Sequence, residues 1–451
     1  MKGSKRGIAS LLVISSMLIQ GCSGEDSFEA DEAGQLKVMY VNEDNFSQLY
    51  GNSFNLKFPN IEIEVVEVSS LAGGGNADTA FHDLIEKENP DVILMSGVSQ
   101  YSELVEKNTL LDLEPMLLEE DFKSADLLPA SLQLLREKGD GKLYGISPYF
   151  SANALYYNKD LFDNYKIPIP TTSMTWPEVI ELAKRFPTTG SEEERIYGFT
   201  MDENLSSLGF TIGDTTGYRY TDALGKQVTI QTDGWKQAFG MAVDAQKSGA
   251  FYFPGDLDYS QLNFDEYLDS DLFFSGKSAM TIKRTSYAGS MKVYETLGKK
   301  PVNWSWLTEP FDPANPDVSS SFALTEIYGI HANSANKKAA WQLVKHINGD
   351  TTAKLLSRSS NGNLMTRTQY NTSDEGILYD PFYTLQPRGQ SMHMNTLSDF
   401  NRSIRQLAGK ELQAVVSGSK NLDEAMTSIQ NEGQLELDRT NKQLAEADKT
   451  K

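Results

Sequence analysis

From residue 35 onward, short apolar runs alternate with longer stretches in which apolar positions recur every three or four residues. Leu36 to Val41 is mostly apolar and reads as a buried strand. The stretch from Phe46 to Phe58, closed by Pro59, predicts a helix. Ile61-Glu-Ile-Glu-Val65 then alternates with the period of two that sets one face of a strand on a core. Gly73-Gly-Gly75 interrupts the chain before a helical segment, Asp78 to Glu88. Asp91-Val-Ile-Leu-Met95 is the short apolar run of a central parallel strand covered on both faces. The resulting βαβαβ order predicts an α/β fold of doubly wound layers.

Further along, Gly141 to Tyr149 reads as a turn leading into a strand, and Ala154 to Tyr157 as another. Ile167-Pro-Ile-Pro170 is a rigid connector. Thr175-Trp-Pro-Glu178 opens a helix: Thr175 can cap it, Glu178 can complete a capping box, and Pro177 suits the first turn. The apolar face of that helix is Val179, Ile180, Leu182 and Ala183. Lys337 to Ile347 places Ala340, Leu343, Val344 and Ile347 on one helical stripe, with Gly349 just beyond its end. The stretch from Leu422 to about Ala447 is helical and highly charged.

The N-terminus breaks this pattern. Lys2, Lys5 and Arg6 precede an apolar run from Ile8 to Ile19, the layout of a secretory leader. The run is too short to span a bilayer, for which a helix needs about 20 residues. Residues 1–21 therefore read as a signal peptide. Leu18-Ile-Gln-Gly-Cys22 resembles a bacterial lipobox, in which the cysteine is acylated and becomes the new N-terminus; Gln20 stands where a small residue is usual. Cys22 is the only cysteine, so lipidation accounts for the whole cysteine count. Residues 22–34 carry Glu25, Asp26, Glu29, Asp31 and Glu32 and read as an acidic tether, reaching roughly 20 Å as a flexible coil.

The formal charge of −21 argues against nucleic acid as a partner. The roughly 415 residues between tether and tail predict two domains. Gly-x-Ser-x-Gly is absent, and no cysteine is available as a nucleophile, so an enzyme is not expected. His82, His331, His346 and His393 lack metal-ligand spacing, and neither a metal nor a cofactor is expected.

Seven landmarks follow one another in order. They are Pro90-Asp-Val-Ile-Leu94, Asp140-Gly-Lys-Leu-Tyr-Gly145, Tyr156-Tyr-Asn-Lys-Asp160, Thr175-Trp-Pro-Glu178, Phe274-Ser-Gly-Lys-Ser-Ala-Met-Thr281, Ala335 to Trp341 and Asn421-Leu-Asp-Glu-Ala-Met426. The series resembles the bacterial extracellular solute-binding proteins of family 1, the group of maltose-binding protein. The resemblance covers residues 35 to 440. It implies a periplasmic-binding-protein-like fold in which two α/β lobes enclose a ligand cleft and are joined by hinge crossings. The lobes would comprise 35–149 with 323–361, and 150–322 with 362–445. The implied role is capture of a carbohydrate, commonly an oligosaccharide, by hinge closure, and its delivery to an ABC permease. A monomer held on the outer face of the cell membrane by its lipid anchor is the expected state.

Open α/β sheets bind ligands at the carboxyl ends of their strands, which points to the loops at Asn42 to Ser47 and Ser96 to Tyr101. Asn42, Asp44 and Asn45 bring amide and carboxylate oxygens suited to sugar hydroxyls. The same loop also suits a plain β-to-α turn capped by Asp44 or Asn45. Ser96 and Tyr101 are the second group, with Tyr101 as a stacking platform or simply part of a helix start. Tyr149 and Ser151, with Asn153 nearby, lie at the implied crossing between lobes, where Tyr149 equally suits a core. Arg284 and Tyr287 follow the Ala279 to Ile282 strand. There the resemblance implies an aromatic platform, and Arg284 suits either a uronate or an acidic residue across the cleft. Trp304 and Trp306 share one strand face and suit either stacking or core filling; Trp176 and Trp341 are expected in the core. The loosely matching segment 388–399 offers Gln390, His393 and Asn395, and Gly362-Asn-Leu-Met365 departs from the family's Gly-x-x-Pro. A non-sugar solute such as a polyamine is the alternative ligand class, and a polysaccharide-degrading enzyme the alternative activity.

Overall fold

The apolar run Leu36 to Val41 becomes the middle of a sheet because Leu36, Val38, Met39 and Tyr40 are all buried. This strand, β1 (Gly34–Tyr40), pairs in parallel with β2 (Ile61–Glu67) on one side and β3 (Val92–Met95) on the other. Every residue of β3 is buried, as its unbroken apolar run predicts. These coordinates come from a computed structural model that describes residues 33–68, 77–118, 122–191, 194–202, 204–254, 262–358, 363–371, 377, 379–388 and 398–448. The expected signal peptide, Cys22 and the tether up to Glu32 lie outside the described residues. Among the described residues no helix is long and apolar enough to cross a membrane.

The helix expected at Phe46 to Phe58 forms in three pieces: Glu43–Phe46, a π turn at Ser47–Gly51, and Asn52–Lys57. Its buried aromatic residues, Phe46, Tyr50 and Phe54, are spaced by four. Each four-residue step overshoots an α-helical turn by about 40°, and the wider π turn takes up that drift so that the rings keep facing the sheet.

The chain leaves this sheet through β4 (Tyr149–Phe150) and builds a second one from β5 (Asn153–Asn158), β6 (Phe199–Thr200), β7 (Phe251–Tyr252), β8 (Met280–Arg284) and β9 (Trp304–Thr308). Their spatial order is β7-β6-β8-β5-β9, with β5 antiparallel to both neighbours. Between β5 and β6, the predicted capping box at Thr175 is present, with Glu178 Oε2 accepting from both the N–H and the hydroxyl of Thr175 at 2.8 Å. Helices Leu205–Thr215, Asp233–Lys247, Ser398–Val416 and Leu422–Asp448 pack together on this side, burying Phe210, Trp235, Phe239, Ile404, Leu412 and Ile429. Trp176 and Trp341 are buried as expected. Trp306 is buried too, 5.4 Å from the Tyr156 ring and 5.2 Å from Phe382, while half-buried Trp304 packs 5.3 Å from Tyr156.

The return to the first sheet runs through β10 (Val318–Ser319) and β11 (Ile327–Ile330); β11 pairs antiparallel with β3 and completes the order β11-β3-β1-β2. Helix Lys337–Ile347 follows with the bounds its pattern predicts. Thereafter β12 (Leu364–Met365) pairs with β4, the Leu128 N–H donates to the Thr366 carbonyl at 2.7 Å, and Arg367 reaches the carbonyls of Phe122 and Asn348. Residues 363–371 thus hold to the first lobe, because a buried arginine and strand pairing fix them there. Finally β13 (Gln386–Pro387) lies parallel to β10 before the chain joins the second lobe's helices.

Candidate functional site

The ends of β1 and β3 and the start of β11 meet at one edge of the first sheet. Val38 faces Val92 and Met39 faces Ile93, so the segment after β1 that carries Asn42 leaves the sheet on the side where β3 ends at Met95. Met95 faces Ile327, so Ser96 comes beside Glu326. Asn42 caps the short helix that follows it, its Oδ1 accepting from the Asn45 N–H at 2.9 Å. The cap is therefore Asn42, two residues after the strand end, rather than Asp44 or Asn45, whose side chains stand exposed in the first turn. Ser96 donates its N–H and its hydroxyl to Gln100 Oε1 at 2.9 and 3.0 Å and remains exposed.

Glu326 was not singled out by sequence reasoning. The signal available was a lone acidic residue just before the apolar run Ile327-Tyr-Gly-Ile330. Its Oε2 accepts from the hydroxyls of Tyr328 at 2.6 Å and Tyr50 at 3.2 Å, and burial together with the same carboxylate raises the pKa of the nearby Tyr149 phenol. Tyr40 stacks on Tyr328 at 6.5 Å, and Tyr50 meets both rings edge-on. Burial, with Glu326 nearby, pushes the Tyr50, Tyr149 and Tyr328 phenols far above their ordinary range, so each keeps its proton and stays a donor.

On the other side of the crossing, Arg284 ends β8 with an exposed side chain, and its Nη1 donates to Ser151 Oγ at 3.0 Å. Ser151 is itself buried and exchanges backbone hydrogen bonds with Ala323 at 2.9 and 2.8 Å. Next to Arg284, Lys283 pairs with Asp202 and lies 3.4 Å from Asp271. Burial alone would lower the lysine pKa, but the two carboxylates outweigh it and raise the value.

The structure thus brings Asn42, Ser96, Tyr149, Ser151 and Arg284 to the sheet edge and the crossing, with Tyr149 and Ser151 behind Glu326 and Arg284. Two expected platforms are placed otherwise. Tyr101 is fully buried, and its hydroxyl accepts the Tyr144 N–H at 3.0 Å, so its ring serves the core and has no face to offer a ligand. Tyr287 donates to Asp271 Oδ2 at 2.8 Å, stacks on Phe274 at 4.7 Å and lies under Lys283 at 5.0 Å, so its ring is engaged within the protein. Gln390, His393 and Asn395 lie outside the described residues.

This architecture, two α/β lobes joined by short crossings with polar groups at the strand ends, is the class the resemblance implied. Residues 40–354 match the bacterial extracellular solute-binding proteins, and the chain belongs to that family. A mannitol-binding protein of Pseudomonas aeruginosa is 27% identical over 352 residues, which is 72% of this chain and 76% of that protein. The structure of a sugar transporter from Rhizobium etli in an open conformation superposes with a TM-score of 0.63 at 21% identity, over 89% of this chain and 98% of that one. A solute-binding protein from Agrobacterium vitis with bound D-mannitol gives a TM-score of 0.59 at 19% identity, over 90% of this chain and 99% of that one. Both likenesses are to the periplasmic-binding-protein fold.

Proposed function

We propose that the protein captures a small carbohydrate or sugar alcohol and hands it to the permease of an ABC importer. The carrying observation is the polar grouping where the lobes join: Asn42, Ser96 and Glu326 at the first sheet's edge, and Arg284 held at the crossing through Ser151 as the second lobe's wall. Oxygens that accept and nitrogens that donate are there for a hydroxyl-rich molecule, which can satisfy both. The mannitol-binding relative supports this ligand class. Closure about the crossings brings the walls together, and the ligand shifts the population by touching both. Binding without catalysis is the whole activity, the chain acts as a monomer, and acylated Cys22 keeps it on the outer face of the cell membrane.

The test is a calorimetric and thermal-shift screen against D-mannitol, mono- and oligosaccharides, uronates and polyamines, with small-angle scattering on any complex. A neutral sugar or sugar alcohol is expected to raise the midpoint, by about 2.7 kcal/mol of stabilisation at a hundredfold excess over Kd, and to compact the molecule. A response to polyamines alone, or saturation without compaction, contradicts the reading.

A further inference from the structure

Tyr149 and Ser151 are two residues apart on an extended crossing strand, so their side chains leave the same face. Phe150 between them leaves the other face and stacks on Phe322 at 4.8 Å. Tyr149 stands close enough to Glu326 for the carboxylate to add to burial in raising its pKa, and the Ser151 hydroxyl accepts from Arg284. One face of one crossing therefore lies beside an acid and holds a base. The second crossing is tied to the first at Ser151 and Ala323, and Glu326 lies only three residues past Ala323, at most about 11 Å of extended chain.

The two charged groups are not partners of each other in the described structure. Glu326 has one oxygen occupied by two tyrosine donors, and Arg284 has a serine rather than a carboxylate. Among the described residues no ion pair involves either group. Each keeps hydrogen-bonding capacity for a third molecule: a carboxylate has about four acceptor positions, and a guanidinium has five donors.

We infer that Glu326 and Arg284 together make the site selective for an uncharged ligand with neighbouring hydroxyls. This rests on the carbohydrate-capturing reading above. Every hydroxyl both donates and accepts, so a polyol satisfies the carboxylate at one end and the guanidinium at the other without adding charge. A uronate or a sugar phosphate gains at Arg284 and is repelled at Glu326; an amino sugar meets the reverse. Discrimination then comes from the repulsive group as much as from the attractive one. Tyr50 and Tyr328 act through Glu326 as positioning residues, fixing which of its oxygens faces the ligand.

The test is calorimetry on wild type, Glu326→Gln, Arg284→Gln and Tyr328→Phe. The probes are D-mannitol, D-glucose and maltose as neutral ligands, D-glucuronate and mannitol 1-phosphate as anions, and D-glucosamine as a cation. Wild type is expected to bind a neutral probe at least tenfold more tightly than its charged counterparts. Glu326→Gln, which keeps the shape, is expected to lose at least tenfold on that probe and to close the gap to the anions. Arg284→Gln loses on the neutral probe while still rejecting anions. Tyr328→Phe gives a smaller loss with anion rejection intact, which separates its positioning role from that of Glu326. Unliganded melting curves matched to wild type establish that each variant is folded. Neutral binding unchanged in Glu326→Gln, or a uronate preferred by wild type, overturns this inference alone. A wild type that binds no carbohydrate overturns the carbohydrate reading and this inference with it.

Discussion

His346 shows what a single half-buried side chain commits the protein to. Its Nε2 is 2.8 Å from the Ser53 hydroxyl and its ring meets Phe54 edge-on at 5.5 Å. Burial, with Lys57 adding repulsion, pushes the imidazole down from 6.5 to about 4. The folded state therefore prefers the neutral ring. The associated stability is full above pH 6.5 and is lost as pH falls through that value toward 4, at about 1.4 kcal/mol per unit. Urea unfolding at pH 7 and pH 4 is expected to show a larger acid loss for wild type than for His346→Gln; equal losses would remove His346 from the account. At this scale the sequence was only partly legible. Four consecutive polar residues, Asn42 to Asn45, do not say which one caps, because that depends on where β1 ends. Tyr101 was more readable than the reading allowed, since Leu104 and Val105 three and four residues on extend an apolar stripe that marks a core face.

At the level of elements, local pattern located the pieces whose partners are near in sequence. Helix Lys337–Ile347 and the capping box at Thr175 depend on residues within one turn of each other, and both form as expected. The segment 363–371 depends on residues far away. Arg367 is buried, donates Nε to the Asn348 carbonyl at 2.7 Å and Nη2 to the Phe122 carbonyl at 2.5 Å, lies over the Phe122 ring, and is 3.4 Å from Asp350. No periodicity announces such contacts. Arg367→Met would leave two buried carbonyls without donors and is expected to cost about 3 kcal/mol in equilibrium unfolding. A loss under about 1 kcal/mol would show that the staple is dispensable.

Over the whole molecule, the βαβαβ opening predicted the first sheet's three parallel strands but not its fourth. The Ile327 to Ile330 run is too short to announce an antiparallel edge, and nothing local says which sheet it will join. The site follows suit: Glu326 became visible only once β11 was placed beside β3. The N-terminal reading makes its own demand on the intact protein. Two or more acyl chains, at about 0.8 kcal/mol per buried CH₂, hold a protein on a bilayer where one does not. Cys22→Ser is expected to abolish palmitate labelling and move the chain from the membrane fraction to the soluble one; retention at the membrane would count against the anchor.

The placement of β11 has a consequence for how the chain comes to life. The central strand β3 has its second edge covered only by a segment made roughly 230 residues later, a separation that slows folding through the cost of closing so long a loop. During synthesis the first lobe emerges with Val92–Met95 half-paired and cannot finish until most of the polypeptide exists. The same delay exposes an apolar strand edge to aggregation in the interval, and it makes this lobe's completion a late event in biogenesis.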